Sequence, residues 1–174
     1  VDLLAGPERF ARSFAFDDIG RFVALTSTVY DVTRSWRYGY VPDSDLLGWV
    51  SNVETAVTLQ RDYEPGRNLL TQLVNRVGAT LVSSFAYAND PLGQRTNRVD
   101  SGSVGNVFGY NPRGELTNAV MGSVPFAYAF DPIGNRLSIR TNGVNGSYVP
   151  NPLNQYVAIS KAGVRTLYYD LDGN

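Results

Sequence analysis

"FAYAFDPIGNR", residues Phe126–Arg136, decides the fold, because "FAYANDPLGQR", residues Phe85–Arg95, repeats it almost letter for letter. Self-similarity at a regular period marks an array of like units, and it outranks local propensity as a guide to architecture. With Asp131 of "DPIG" as reference, matching phrases place Asp17 ("FAFDDIGR"), Asp90, Asn111 ("FGYNPRGEL"), Asn151 ("YVPNPLNQY") and Asp170 ("YYDLDGN") in register. Two looser copies put Val41 ("YGYVPDSD") and Glu64 ("DYEPGRNL") at the same point. Successive gaps are 24, 23, 26, 21, 20, 20 and 19 residues, a mean of about 22. A period that drifts while the phrase stays fixed describes hairpins of varied length joined by one kind of turn.

Each part of the phrase has a physical job. Asp or Asn first, Pro second and Gly fourth is the preference of a type I β-turn. The Asx side-chain oxygen bonds the main chain two residues on, and Pro presets φ. Gly20, Gly93, Gly114, Gly134 and Gly173 supply the left-handed residue that lets such a turn feed a hairpin. Asn154 stands in that place in the seventh copy, and Asn is the next residue to tolerate it. Upstream of the turns aromatics alternate: Phe14 and Phe16; Trp36, Tyr38 and Tyr40; Phe126, Tyr128 and Phe130. Tyr63, Tyr87, Tyr110, Tyr148 and Tyr169 belong with them as strand aromatics. A period of two on aromatic and β-branched residues is a half-buried strand.

Between the Asx turns comes a second break, at Gly78, Gly102, Gly122, Gly143 and Gly163, so each unit is strand, tight turn, strand, looser turn. In "GRNLLTQLVNRVG", Leu70, Leu73, Val74 and Val77 also fit a helix, and "PERFARSF" fits a helix opening behind Pro7. The repeat register predicts strand for the first, since context overrides propensity. The expected fold is therefore all-β: a curved repeat sheet of antiparallel strand–turn–strand hairpins. It comprises about seven to eight units over residues 12–174, with residues 1–11 as a partial repeat or lead-in. A lone hairpin cannot bury enough apolar area to persist, so neighbouring units must pair. The chain reads as a segment of a longer polypeptide, and unpaired outer strands predict self-association.

Composition narrows the chemistry. Net charge is −1, which offers no overall basic field for nucleic acid or anionic lipid. No apolar run approaches the roughly 20 residues of a membrane-spanning helix. Absence of Cys leaves the redox compartment open, and absence of His removes the commonest general base and zinc ligand. No cofactor, metal or catalytic set is expected. The 16 acidic residues invite a glycosidase reading, which needs two carboxylates across a cleft. Yet the recurrent Asp residues open turns, and Asn replaces them at 111 and 151, which a catalytic carboxylate would not survive. "DLDG" from Asp170 resembles the start of a calcium loop, but the repeat register already accounts for Asp170. "NGS" at Asn145 matches a glycosylation sequon, and the preferred reading is an Asn-Gly hairpin turn. The aromatics are read as packing partners rather than a sugar-binding platform.

These phrases resemble the Rhs/YD-repeat family. Its pattern Y-x-[YF]-D-x-x-G-[NR]-[RL] is met by "YAFDPIGNRL", and with Phe first by "FAFDDIGRF". "YVPNPLNQYVAI" looks like the Asn-x-Leu-Asn-Gln-Tyr variant found between such repeats, and the resemblance covers residues 12–174. It implies a long β-strip spiralling into a hollow shell, which in bacterial Rhs proteins, Tc-toxin C components and teneurins encloses or displays something else. The implied role is structural, with the rest of the shell and a cargo (toxin) domain as partners and a secreted or cell-surface location. A cell-surface module contacting glycan or another protein is the alternative. The family's self-cleaving core, with paired Asp-Pro-x-Gly motifs, has no counterpart, since the two such motifs lie 41 residues apart.

Overall fold

The computed structural model describes residues 10–161 and 163–170. Among them there is no helix; there are fifteen strands. In chain order these are β1 (Phe10–Phe16), β2 (Phe22–Val29), β3 (Val32–Tyr40), β4 (Leu47–Asn52) and β5 (Val57–Tyr63). Next come β6 (Leu70–Val77), β7 (Thr80–Asn89), β8 (Arg95–Asp100), β9 (Val104–Tyr110) and β10 (Leu116–Met121). The last are β11 (Val124–Phe130), β12 (Arg136–Thr141), β13 (Val144–Pro150), β14 (Tyr156–Ser160) and β15 (Val164–Thr166). β1 to β7 pair antiparallel in chain order, and so do β9 to β15. Two compact units divide the chain, the first running to Tyr87 and including Asp100–Gly102, the second holding Ala88–Val99 and the residues from Ser103 on.

The ambiguous segment after Glu64 is strand β6, as the register predicts. "RFARSF" is likewise strand from Phe10, while Pro7 lies outside the described residues, as does Gly173. One turn expectation is corrected. Asn145 and Gly146 lie inside β13, opposite Arg140 and Ile139, so the sequon occupies a strand. The reversal falls instead at Asn142 and Gly143, both at positive φ (46° and 84°), the pair that a two-residue type I′ loop demands. Pairing of Thr141 with Val144 closes that loop and leaves the second Asn-Gly no choice but the strand.

Residues alternate between two faces, and the faces differ. In the first unit one cross-strand row runs Phe14, Leu25, Trp36, Asn52, Val57. In the second unit the corresponding row runs Phe108, Ala119, Phe126, Thr141, Val144. The opposite faces carry Arg37, Ser51 and Thr58 in the first unit and Ser138, Arg140 and Ser147 in the second. Only two described apolar residues are buried, Val50 and Ala119. Ala119 is covered because it stands between two phenylalanines. Packing is thus lateral, ring against neighbouring ring within a face, rather than layer against layer. The Phe22 and Tyr38 ring centroids stand 4.8 Å apart, and those of Tyr148 and Tyr156 5.4 Å.

Candidate functional site: the turn row and the sheet faces

Five turns share one construction. The fourth-position amide donates to the Asx carbonyl at 3.0 Å for Gly20–Asp17 and Gly93–Asp90, 2.9 Å for Gly114–Asn111, 3.2 Å for Gly134–Asp131 and 3.0 Å for Asn154–Asn151. The fourth residue has positive φ in every case, from 62° at Asn154 to 94° at Gly134. The Asx amide then donates to the carbonyl four residues on, and the strand register slips by one just upstream of the turn, as between Ala15 and Phe16 and between Ala129 and Phe130. That is a type I turn followed by a left-handed bulge residue. Val41 and Glu64 open turns too, but their amides reach the carbonyl five residues on, so each looser copy holds one extra residue.

Asx side chains finish the loop. The Asn151 Oδ1 accepts the amides of Leu153 (2.9 Å) and Gln155 (3.0 Å), and the Asp131 Oδ1 those of Ile133 (3.0 Å) and Asn135 (2.8 Å). The remaining side-chain atom pairs with the residue four positions on, and the chemistry is matched copy by copy. Asp17 and Asp131 accept there, from Arg21 Nε (2.7 Å) and Asn135 Nδ2 (2.8 Å). Asn111 and Asn151 donate there, to Glu115 (2.6 Å) and Gln155 (3.0 Å). This pairing was missed from the sequence, although Asp facing Arg or Asn, and Asn facing Glu or Gln, is written there. The Arg21 side chain holds the Asp17 carboxyl below the usual range, against partial burial, with help from the Arg21 and Ile19 amides. At Asp131 burial opposes ionisation, but the Asn135 side chain and the amides of Asn135, Ile133 and Gly134 outweigh it and lower the pKa. Hydrogen bonding by Asn111, then by Arg113, likewise lowers that of Glu115.

The residue before the turn reaches backward. Tyr40 donates its hydroxyl to the Phe22 carbonyl (2.8 Å), Tyr63 to Leu47 (2.9 Å), Tyr110 to Arg95 (2.9 Å) and Tyr169 to Tyr156 (2.9 Å). Each acceptor opens the strand that follows the preceding turn, so every such tyrosine pins its own hairpin to the one before it. Tyr169 does so from beyond β15, which ends at Thr166, so it is not a strand residue as expected. Phe130 holds this position without a hydroxyl, while Tyr38, Tyr87, Tyr128 and Tyr148 lie two residues further upstream in β3, β7, β11 and β13. Arg136 sits between the Tyr128 and Tyr148 rings, 5.1 and 5.7 Å from their centroids. Neighbouring turns are laced as well, Arg21 to the Ser44 carbonyl (2.5 Å) and Arg113 to the Asp131 carbonyl (2.6 Å).

Charge is sorted by place. The described strands hold ten arginines against two acids, Asp62 and Asp100, whereas most described acids lie in the connections. On the face of the first unit opposite Tyr38, Trp49 lies across Gly39, where an added Cβ would meet the indole at 2.1 Å. Trp49 stays 43% exposed beside a cleft of about 630 Å³. No group of three or more potential metal ligands occurs among the described residues. No described helix is long and apolar enough to cross a membrane.

With this geometry in hand, three solved structures compare closely. The crystal structure of TcdB2-TccC3-Cdc42 matches at a TM-score of 0.71 with 12% identity, covering 83% of this chain and 9% of that one. Those of TcdB2-TccC3-TEV and TcdB2-TccC3 match at 0.69 with 13% identity, covering 87% and 83% of this chain and 9% of theirs. The fold is that of an Rhs/YD-like β-shell segment. At such identity the likeness concerns architecture alone, and this chain spans under a tenth of the length of the chains it matches. No family model matches the sequence, and no curated protein does.

Proposed function

We propose that this chain is a wall segment of a β-shell that encloses or displays a cargo domain, with residues 12–174 forming the repeat array and residues 1–11 a lead-in. The observation that supports this best is the backward reach of the pre-turn tyrosines. Side chains of one hairpin end on the main chain of the previous one, which favours a continuous wall over independent binding modules. Function on this reading is steric: a hydrogen-bonded barrier between the cargo and proteases, with no catalytic role for the recurrent Asx residues. Its partners are the rest of the same polypeptide and the cargo, in a secreted or cell-surface setting.

Limited proteolysis of the full-length protein tests the reading. The cargo should resist cleavage while the repeat region is intact and become sensitive when that region is deleted. Equal cleavage rates with and without the repeats would refute it.

A further inference from the structure

One row on the face opposite Tyr38 carries Arg37, Ser51, Thr58 and Arg76, paired strand to strand across β3, β4, β5 and β6. The adjacent row carries Gly39, Trp49, Gln60 and Val74. Ser51, Thr58 and Arg76 of the first row and Trp49, Gln60 and Val74 of the second border the cleft of about 630 Å³, and Arg37 stands at the β3 end of its row, next to Ser51. Both guanidiniums are exposed. Arg37 makes no hydrogen bond or ion pair among the described residues, and Arg76 makes one long bond, to the Ala79 carbonyl at 3.4 Å. Asp62, the acid on this face of β5, stands two rows from Arg76, turned to Gln60 at 3.4 Å. Glu54, in the β4–β5 turn, is engaged by the Ser35 amide at 2.8 Å. Two uncompensated cations therefore flank two hydroxyls beside a flat, open indole.

We infer that this patch takes an acidic, extended polypeptide segment lying across β3–β6, with its carboxylates on Arg37 and Arg76 and an apolar side chain on Trp49. Spacing supports the choice of occupant. Arg37 and Arg76 are three strand steps apart, about 14 Å, which an extended peptide covers in about four residues. Acids four apart thus meet both guanidiniums while Ser51 and Thr58 hydroxyls bond the main chain between them. Among the strand arginines of this unit, Arg37 and Arg76 lie on this face and supply the complementary charge, although the chain as a whole is close to neutral. The inference rests on the proposed shell role, since it names the chemistry of a cargo stretch against the wall.

The test is fluorescence anisotropy on the 174-residue protein with a labelled peptide bearing Glu at every fourth position and Leu between. The expected result is saturable binding that weakens with salt and falls about tenfold or more in the Arg37→Gln/Arg76→Gln double variant. Trp49→Ala should weaken it too, while Arg140→Gln, in the other unit, should leave it within about twofold. Unchanged far-ultraviolet circular dichroism keeps loss of fold out of the comparison. No saturable peptide binding, equal binding by the double variant, or binding of a heparin oligosaccharide in place of the peptide would each overturn the inference. A cargo that stays protected while the peptide fails to bind would leave the shell reading standing and remove this one.

Discussion

At the residue scale the turn is a small machine for satisfying main-chain donors. Asx Oδ1 takes the two amides that a tight reversal would otherwise leave to water, which explains why Asp and Asn interchange along the chain. Asn151→Ala removes both bonds and is expected to cost about 1–2 kcal/mol in chemical denaturation. Asp131→Asn keeps Oδ1 and should leave the fold intact, with a smaller loss than Asn151→Ala. The carboxyls of Asp17, Asp131, Glu115 and Glu54 have lowered pKa values in the folded chain. Their stabilisation is therefore present above the ordinary carboxylate range and is lost as pH falls through the depressed folded values. The thermal midpoint should drop on acidification, and less steeply in Asp131→Asn than in the parent; equal slopes would contradict this. Turn chemistry was legible from one copy. The four-residue partner was legible only by comparing copies, because a single Asp–Arg pair such as that at residues 17 and 21 looks accidental.

At the scale of the element, what links hairpins is a hydroxyl on the following copy. Tyr110→Phe deletes the bond to the Arg95 carbonyl with little change of shape, and should cost about 0.5–1.5 kcal/mol by equilibrium unfolding. Strand identity and order were readable because alternation and turn residues agree at most copies, and the looser copies at Val41 and Glu64 keep the spacing. Which dipeptide turns was not always readable: Asn142-Gly143 and Asn145-Gly146 are equivalent locally, and only the β12–β13 register separates them. The Trp49–Gly39 contact was equally hidden, since it joins residues on different strands through a pairing no local pattern specifies. Gly39→Ala places a methyl where the indole lies, so Trp49 must swing away. A change in the tryptophan emission spectrum with the strand signal retained is the expected readout.

At the scale of the whole molecule the scarcity of buried apolar residues among those described governs behaviour. With Val50 and Ala119 the only buried apolar residues described, and Phe14 and Phe16 58% and 61% exposed, the faces present apolar surface that water does not favour. The isolated chain is expected to self-associate, with apparent mass in light scattering rising with concentration; a constant monomer mass would contradict this. Net charge concealed the sorting of cations to strands and acids to connections, because a sum carries no positions. Only the strand boundaries turned composition into a surface.

One consequence reaches beyond a single polypeptide. Since the pre-turn tyrosines end on main-chain oxygens, the receiving site asks nothing of the side chain that follows the earlier bend: Phe22, Leu47 and Arg95 all serve. Genes encoding such arrays can therefore gain, lose or shuffle a copy by recombination and still yield compatible neighbours, a tolerance that lets the wall lengthen or shorten over evolution without its joints being rewritten.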